Sequence, residues 1–135
     1  MPDTSASHTI LMAIGSNHPT ADALIEKAQQ LMSRYITDLR TTETLTTEPI
    51  GIISKPFRNC LVTGRTVLNA ASLVAALKKT ERDCGDRRSL RRENVIMMDI
   101  DLLLHDTQRY HLQDWSKCYI QQLLPQTDIK FPQKT

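Results

Sequence analysis

The sequence has no long apolar run, no closely spaced cysteine pair, little net charge and few aromatic side chains, and each shortage closes off a class of protein. No stretch approaches the roughly 20 apolar residues that a membrane-spanning helix needs. The start, MPDTSASHT, carries neither a basic segment nor an apolar one, so a soluble cytoplasmic protein is expected. The three cysteines, Cys60, Cys84 and Cys118, form no CxxC pair and have no histidine set nearby, which argues against zinc and for free thiols. With 17 basic and 15 acidic residues the net charge is only +2, too small for a generic polyanion binder. Aromatics at 4% are too sparse for a nucleic-acid stacking platform. At 135 residues the chain has room for a single domain, expected to have a core over about 9–125 and a frayed end over 126–135.

What is present is a regular alternation of strand and helix signals. Thr9 to Ile14 is apolar and runs into Gly15-Ser16-Asn17, which reads as a buried strand ending in a turn. Beyond Pro19, Leu24, Ala28, Leu31 and Tyr35 recur at helical spacing with Ile25 and Met32 beside them. Residues 36–47 are threonine-rich and suit one strand, and Pro49 and Gly51 open a loop to about Pro56. Phe57 to Leu68 is strand-like again, with Cys60 turned to the core. Ser72 is the expected cap of a second helix along Leu73, Val74, Leu77 and Cys84, stopped by Gly85. Residues 86–94 are too polar for a core and read as a loop before Val95 to Leu104, the strongest strand signal. The order β-α-β-β-α-β predicts an α+β, ferredoxin-like sandwich, an antiparallel sheet with helices on one face. Leu112, Trp115, Tyr119, Leu123 and Leu124 are helix-compatible.

Chemistry is concentrated around the last of these strands. Asp99 and Asp101, two residues apart, point to one face about 6–7 Å from each other, while Met98, Ile100, Leu102 and Leu104 are expected on the other. Such hard oxygen donors suit magnesium, although a DxD by itself also describes the polar side of a half-exposed strand. Arg82, Arg87, Arg88, Arg91 and Arg92 immediately precede it, and guanidinium groups beside a carboxylate pair suit a nucleotide triphosphate. The same arginines can instead pair with Asp83, Asp86 and Glu93 as a solvated charged loop, or contact RNA. Asn59 shares a face with Phe57 and can hydrogen-bond a flat heterocycle stacked on that ring, or take part in ordinary cross-strand packing.

Together, Ala13-Ile14-Gly15-Ser16-Asn17, Glu48-Pro49-Ile50-Gly51, Phe57-Arg58-Asn59, Glu81 with Gly85, and Asp99-Ile100-Asp101 resemble, in order and separation over roughly residues 9–104, the 6-hydroxymethyl-7,8-dihydropterin pyrophosphokinase (diphosphokinase) family. The resemblance implies the ferredoxin-like fold and transfer of pyrophosphate from MgATP to the pterin hydroxymethyl group in folate biosynthesis, releasing AMP. It implies two Mg2+ ions held by Asp99 and Asp101, with ATP contacted by Glu81, Arg88, Arg92, His111 and Lys117. Thr47, Ile50 and Asn59 would bind the pterin edge, with Phe57 and Tyr119 on its faces. A monomer acting on small molecules, without nucleic acid or membrane, is the matching expectation.

The chain departs from the family pattern in three places. Ile96 stands where an arginine is usual, three residues before Asp99. The segment between Asp106 and His111 is short and lacks a His-Pro-Arg motif, and Lys117 is separated from Tyr119 by Cys118. These changes fall on the ATP side and leave two other readings: a non-catalytic pterin- or nucleotide-binding homologue, and a ferredoxin-like RNA-binding or regulatory module.

Overall fold

The computed structural model describes residues 7–129. Its central strand is β1 (His8–Ser16), followed by α1 (Ala21–Met32), β2 (Thr37–Thr41), β3 (Leu45–Thr47), β4 (Phe57–Thr66), α2 (Ala70–Asp83), the short α3 (Arg88–Arg92), β5 (Asp99–His105) and β6 (Gln108–Arg109). A 3-10 helix (Leu112–Ser116) and α4 (Cys118–Leu123) complete the described elements before a last 3-10 turn (Leu124–Gln126). The six strands form one antiparallel sheet in the order β2-β4-β1-β5-β6, with β3 also paired to β4. This is the predicted α+β, ferredoxin-like order.

Each face of the sheet has its own core. Ile10, Met12, Ile14, Cys60, Val62, Ile100 and Leu102 meet Ile25, Ala28 and Met32 of α1 and Leu73 and Leu77 of α2. Fully burying a side chain of this size stabilises the fold by about 1.5–3 kcal/mol, so this two-helix layer is the main mechanical support of the sheet. Tyr35, just after α1, donates its hydroxyl to the Ala76 carbonyl at 3.3 Å and shares a 2.7 Å hydrogen bond with Thr80, joining the two helices. On the opposite face Leu11, Ala13, Leu61, Leu103 and Leu104 are covered by Trp115, Ile120 and Leu123. The helix-compatible C-terminal segment thus adds a second, thinner layer.

Several local expectations are corrected. Residues 36–47 form two strands, because Thr42 inserts: its hydroxyl accepts from the Leu61 N–H at 3.0 Å and its own N–H donates to the Leu61 carbonyl at 3.0 Å. The pairing moves from Thr41 opposite Val62 to Leu45 opposite Asn59, one extra residue and therefore a bulge. Asn69, not Ser72, caps α2, its side chain accepting from the Ser72 N–H at 2.8 Å. The last core strand begins at Asp99: Ile96 bonds Ser16 and Asn17, while the Val95 N–H donates to the Leu90 carbonyl and the Met98 N–H to Asp86, so these residues do not join the ladder. Leu104 lies on the second face with Leu103, because the register slips between Leu11–Leu104 and Met12–Leu102. Residues 88–92 are a turn of helix in what reads as a polar loop.

Of the end expected to fray, Gln126 accepts the Glu43 N–H at 2.9 Å, Asp128 lies 3.7 Å from Arg40, and Ile129 packs on the second core. Residues 130–135 lie outside the described residues. Cys60 and Cys84 are buried free thiols and Cys118 is exposed. Among the described residues, no helix is long and apolar enough to cross a membrane.

Candidate functional site

Gly15 is the hinge point of the site's construction. It pairs with Asn59 of β4 on one side and Asp99 of β5 on the other. With strands about 4.8 Å apart, Asn59 and Asp99 flank a groove roughly 10 Å wide whose floor is a backbone without a side chain. A β-carbon on Gly15 would collide with the Asn59 Oδ1 and come within 3.3 Å of the Arg58 carbonyl. Only glycine leaves this row open. Ser16 and Asn17 then hold the far wall: Ser16 Oγ donates to the Ile96 carbonyl at 3.1 Å. Asn17 accepts from the Ile96 N–H at 2.7 Å and donates to the Asn94 carbonyl at 2.8 Å. The Gly-Ser-Asn turn is thereby a clamp on the segment that links the arginines to the aspartates.

Two cavities meet beside this floor at Asp99 and Asp101. The smaller, about 200 Å³, is lined by Gly15, Thr47, Glu48, Pro49, Ile50, Ile52, Phe57, Asn59, Lys117 and Tyr119, together with Asp99 and Asp101. The pairing of β3 with β4 sets Thr47 opposite Phe57, and Asn59 Nδ2 donates to Thr47 Oγ1 at 2.5 Å, fixing the amide orientation. Tyr119 arrives from α4 because the chain turns extended at Lys117 and so breaks the C-terminal helix in two. The larger cavity, about 510 Å³, is lined by Lys78, Glu81, Arg82, Asp86, Arg87, Arg88 and Arg91, again with Asp99 and Asp101. The two aspartates are therefore the shared boundary of an amide-bearing slot with aromatic walls and an arginine-rich one.

The electrostatics at that boundary are strained in favour of a cation. Burial first, then the neighbouring Asp99 carboxylate, with smaller contributions from Glu81 and Asp114, push Asp101 up from 3.8 to about 7. Glu81 is raised by burial, and its carboxylate accepts the Ile100 N–H at 2.7 Å, satisfying a backbone donor on the open edge of β5. Burial and the acidic groups around it also raise Tyr119, keeping its hydroxyl protonated. Two hard carboxylates that repel each other beside a basic cavity fit Mg2+, which takes few protein oxygens and completes its shell with phosphate and water.

The sequence-predicted residues fall into place unevenly. Thr47, Ile50, Phe57, Asn59, Lys117 and Tyr119 line the small cavity, and Glu81 and Arg88 the large one. His111 Nε2 stands 3.9 Å from Asp101, its backbone left-handed at φ 51°. Arg92, at the end of α3, is exposed and is not among the lining residues of the large cavity. The arginine in contact with Asp99 is Arg91, which the sequence marks only as one member of the arginine cluster. Its guanidinium donates to Asp86 at 2.6 Å, to the Met98 carbonyl at 3.0 Å and to Asp99 at 3.4 Å. The signal for it is helical phase: three of the five arginines, Arg88, Arg91 and Arg92, lie in α3, and within one turn only some of them can face the strand. Arg58 of the Phe-Arg-Asn motif fastens β4 to α1 through Asp22, at 2.9 and 3.3 Å.

Comparison with known proteins supplies a family. Two Arabidopsis thaliana proteins are similar: a folate synthesis bifunctional protein, 26% identical over 94% of this chain, and a mitochondrial folate synthesis bifunctional protein, 28% identical over 93%. The matches cover 28% and 24% of those proteins, so the chain spans about a quarter of their length. Among solved structures, the de novo designed protein Foldit4 covers 76% of this chain at 12% identity and a TM-score of 0.40, too slight a likeness to add to the fold described above. The family model described as 7,8-dihydro-6-hydroxymethylpterin-pyrophosphokinase matches residues 11–133, nearly the whole chain, and the protein belongs to that family.

Proposed function

We propose that this chain is an ATP-dependent diphosphokinase that transfers pyrophosphate to the hydroxymethyl group of 6-hydroxymethyl-7,8-dihydropterin. The observation that carries the reading is that Asp99 and Asp101 line both cavities, so a group held in one faces a group held in the other across the carboxylate pair. In the small cavity Phe57 and Tyr119 would take the faces of the pterin. Asn59, held by Thr47, and the backbone near Ile50 would take its polar edge. In the large cavity Arg88, Arg91, Lys78 and Arg82 would neutralise the triphosphate, with Glu81 bordering the nucleotide and Arg92, His111 and Lys117 reaching it as the arginine segment closes. Asp99 and Asp101 would hold Mg2+, two ions in this reading, which supplies charge neutralisation at the phosphates when bound.

The hydroxymethyl oxygen forms a bond to the β-phosphorus as the bond from that phosphorus to the α,β-bridging oxygen breaks; AMP leaves and the hydroxyl proton is released. No covalent enzyme intermediate is required, so the side chains contribute position and charge rather than nucleophilicity. The exposed isoleucines of the 48–56 loop are consistent with closure on a ligand: Ile50 is 82% exposed although it borders the small cavity.

The test is nucleotide product analysis with ATP, Mg2+ and 6-hydroxymethyl-7,8-dihydropterin. Pterin-dependent AMP, without ADP, is expected, and Asp99→Ala and Asp101→Ala should each abolish it in folded protein. Unchanged turnover in either variant would overturn the metal assignment. A non-catalytic homologue is the second reading, favoured by Ile96 in place of a phosphate-binding arginine. Magnesium-dependent ATP binding without AMP would select it.

A further inference from the structure

The opposite end of the sheet carries a second cluster of ligating side chains. His8 opens β1, while His105 closes β5 and is followed by Asp106 in the turn to β6. From Asp99 to His105 is six residue steps along β5, about 20 Å, so this cluster is separate from the carboxylate pair. One ligand atom from each of His8, His105 and Asp106 lies within 4.8 Å of the other two. The His8 and His105 rings stand with centroids 4.4 Å apart, and His8 Nδ1 is 2.6 Å from Asp106 Oδ2.

We propose that His8, His105 and Asp106 bind a divalent transition ion of the zinc class, clipping the start of β1 to the β5–β6 turn. The neighbours of the cluster prepare each ligand. His105 Nε2 lies 3.0 Å from the Leu68 carbonyl, which can only accept, so Nε2 carries the proton and Nδ1 is the free lone pair. Asp106 Oδ1 accepts the Thr9 N–H at 3.0 Å, which fixes the carboxyl plane and leaves Oδ2 toward the imidazoles. Two imidazoles select against Mg2+ and for Zn2+, Co2+, Ni2+ or Cu2+. Around an ion with bonds of about 2.0–2.2 Å, tetrahedral ligand atoms stand roughly 3.3–3.5 Å apart. Modest rotations reach that spacing, with His8 and Asp106 side chains 28% and 49% exposed. Three protein ligands leave a fourth position for water.

The simpler use of the same residues is an ion pair between His8 and Asp106 with no metal, and the two are separable. Tag-free, EDTA-stripped full-length protein is titrated with Co2+, followed by visible absorption, and with Zn2+, followed by thermal unfolding. One equivalent of Co2+ should give the intense visible band of a four-coordinate site, and Zn2+ should raise Tm saturably. His8→Ala and Asp106→Asn should each weaken binding by more than about tenfold. Asparagine suits the left-handed backbone at Asp106, φ 55°, so that variant keeps the turn. Asp101→Ala, at the other end of the sheet, should bind Co2+ as the parent does. Absence of the band in the parent, or its persistence in both His8→Ala and Asp106→Asn, overturns the site; loss in Asp101→Ala alone assigns the ion to the carboxylate pair and overturns it equally.

Discussion

Replacing Asp101 by asparagine should stabilise the metal-free protein at alkaline pH while removing the proposed diphosphokinase activity. The carboxyl is raised from 3.8 to about 7 by burial and by Asp99. For a fully shielded charge that displacement corresponds to roughly 4 kcal/mol. The Asp101 side chain is 33% exposed, and the water reaching it screens the cost of ionisation to about 1–2 kcal/mol. The direction follows from proton counting: between its ordinary value and 7, the folded protein keeps a proton that the unfolded chain has lost. The neutral carboxyl's contribution is therefore complete below about 4 and is lost as pH rises through 7. The amide of the variant does not titrate. In EDTA, Asp101→Asn should match the parent near pH 4 and exceed it at pH 8 by roughly 3–8 °C in Tm. Mg2+ should then raise the parent's Tm at pH 8 and leave the variant's unchanged. Thermal unfolding across that pH range decides it: an equal offset at both ends, or a lower Tm at pH 8, would refute the reasoning.

Gly15→Ala should cost about 1–3 kcal/mol, because the added methyl meets Asn59 Oδ1 and the Arg58 carbonyl within the sheet. Urea unfolding reads the loss and a fluorescence titration with the pterin reads the displaced amide; unchanged values in both would show that the groove floor tolerates a side chain. Arg91→Ala strips the partner from buried Asp86 and a donor from the Met98 carbonyl, for a loss of about 1–3 kcal/mol together with a raised KM for ATP. Arg91→Lys should recover little of either, since an ammonium cannot span Asp86, Met98 and Asp99 at once. Full recovery by lysine would mean that only charge at this position matters.

The period-two geometry of a strand determined that Asp99 and Asp101 emerge on one side of β5 and Asn59 on the side opposite Cys60 in β4, a local property that needs no partner to be read, whereas β1 is apolar throughout Ile10–Ile14 and has core on both faces. The same locality made the helices at Leu24–Met32 and Leu73–Cys84 legible. The motifs around Gly15, Asn59 and the aspartates named the chemistry, but not the reason for the glycine, which is a collision across strands with a residue 44 positions away.

Three things waited for tertiary structure. The bulges at Thr42 and Leu103 depend on how many residues the partner strand offers, a count that no single strand contains. Which of five arginines meets the carboxylates depends on the phase of a turn of helix fixed by Asp86 and the Met98 carbonyl. The meeting of two cavities at Asp99 and Asp101 depends on α2, the arginine turn and the Tyr119 segment converging on one sheet edge. Sequence supplies the donors and their spacing along the chain; only packing sets their distances across it, and repulsion between Asp99 and Asp101 exists only once burial has removed the water between them.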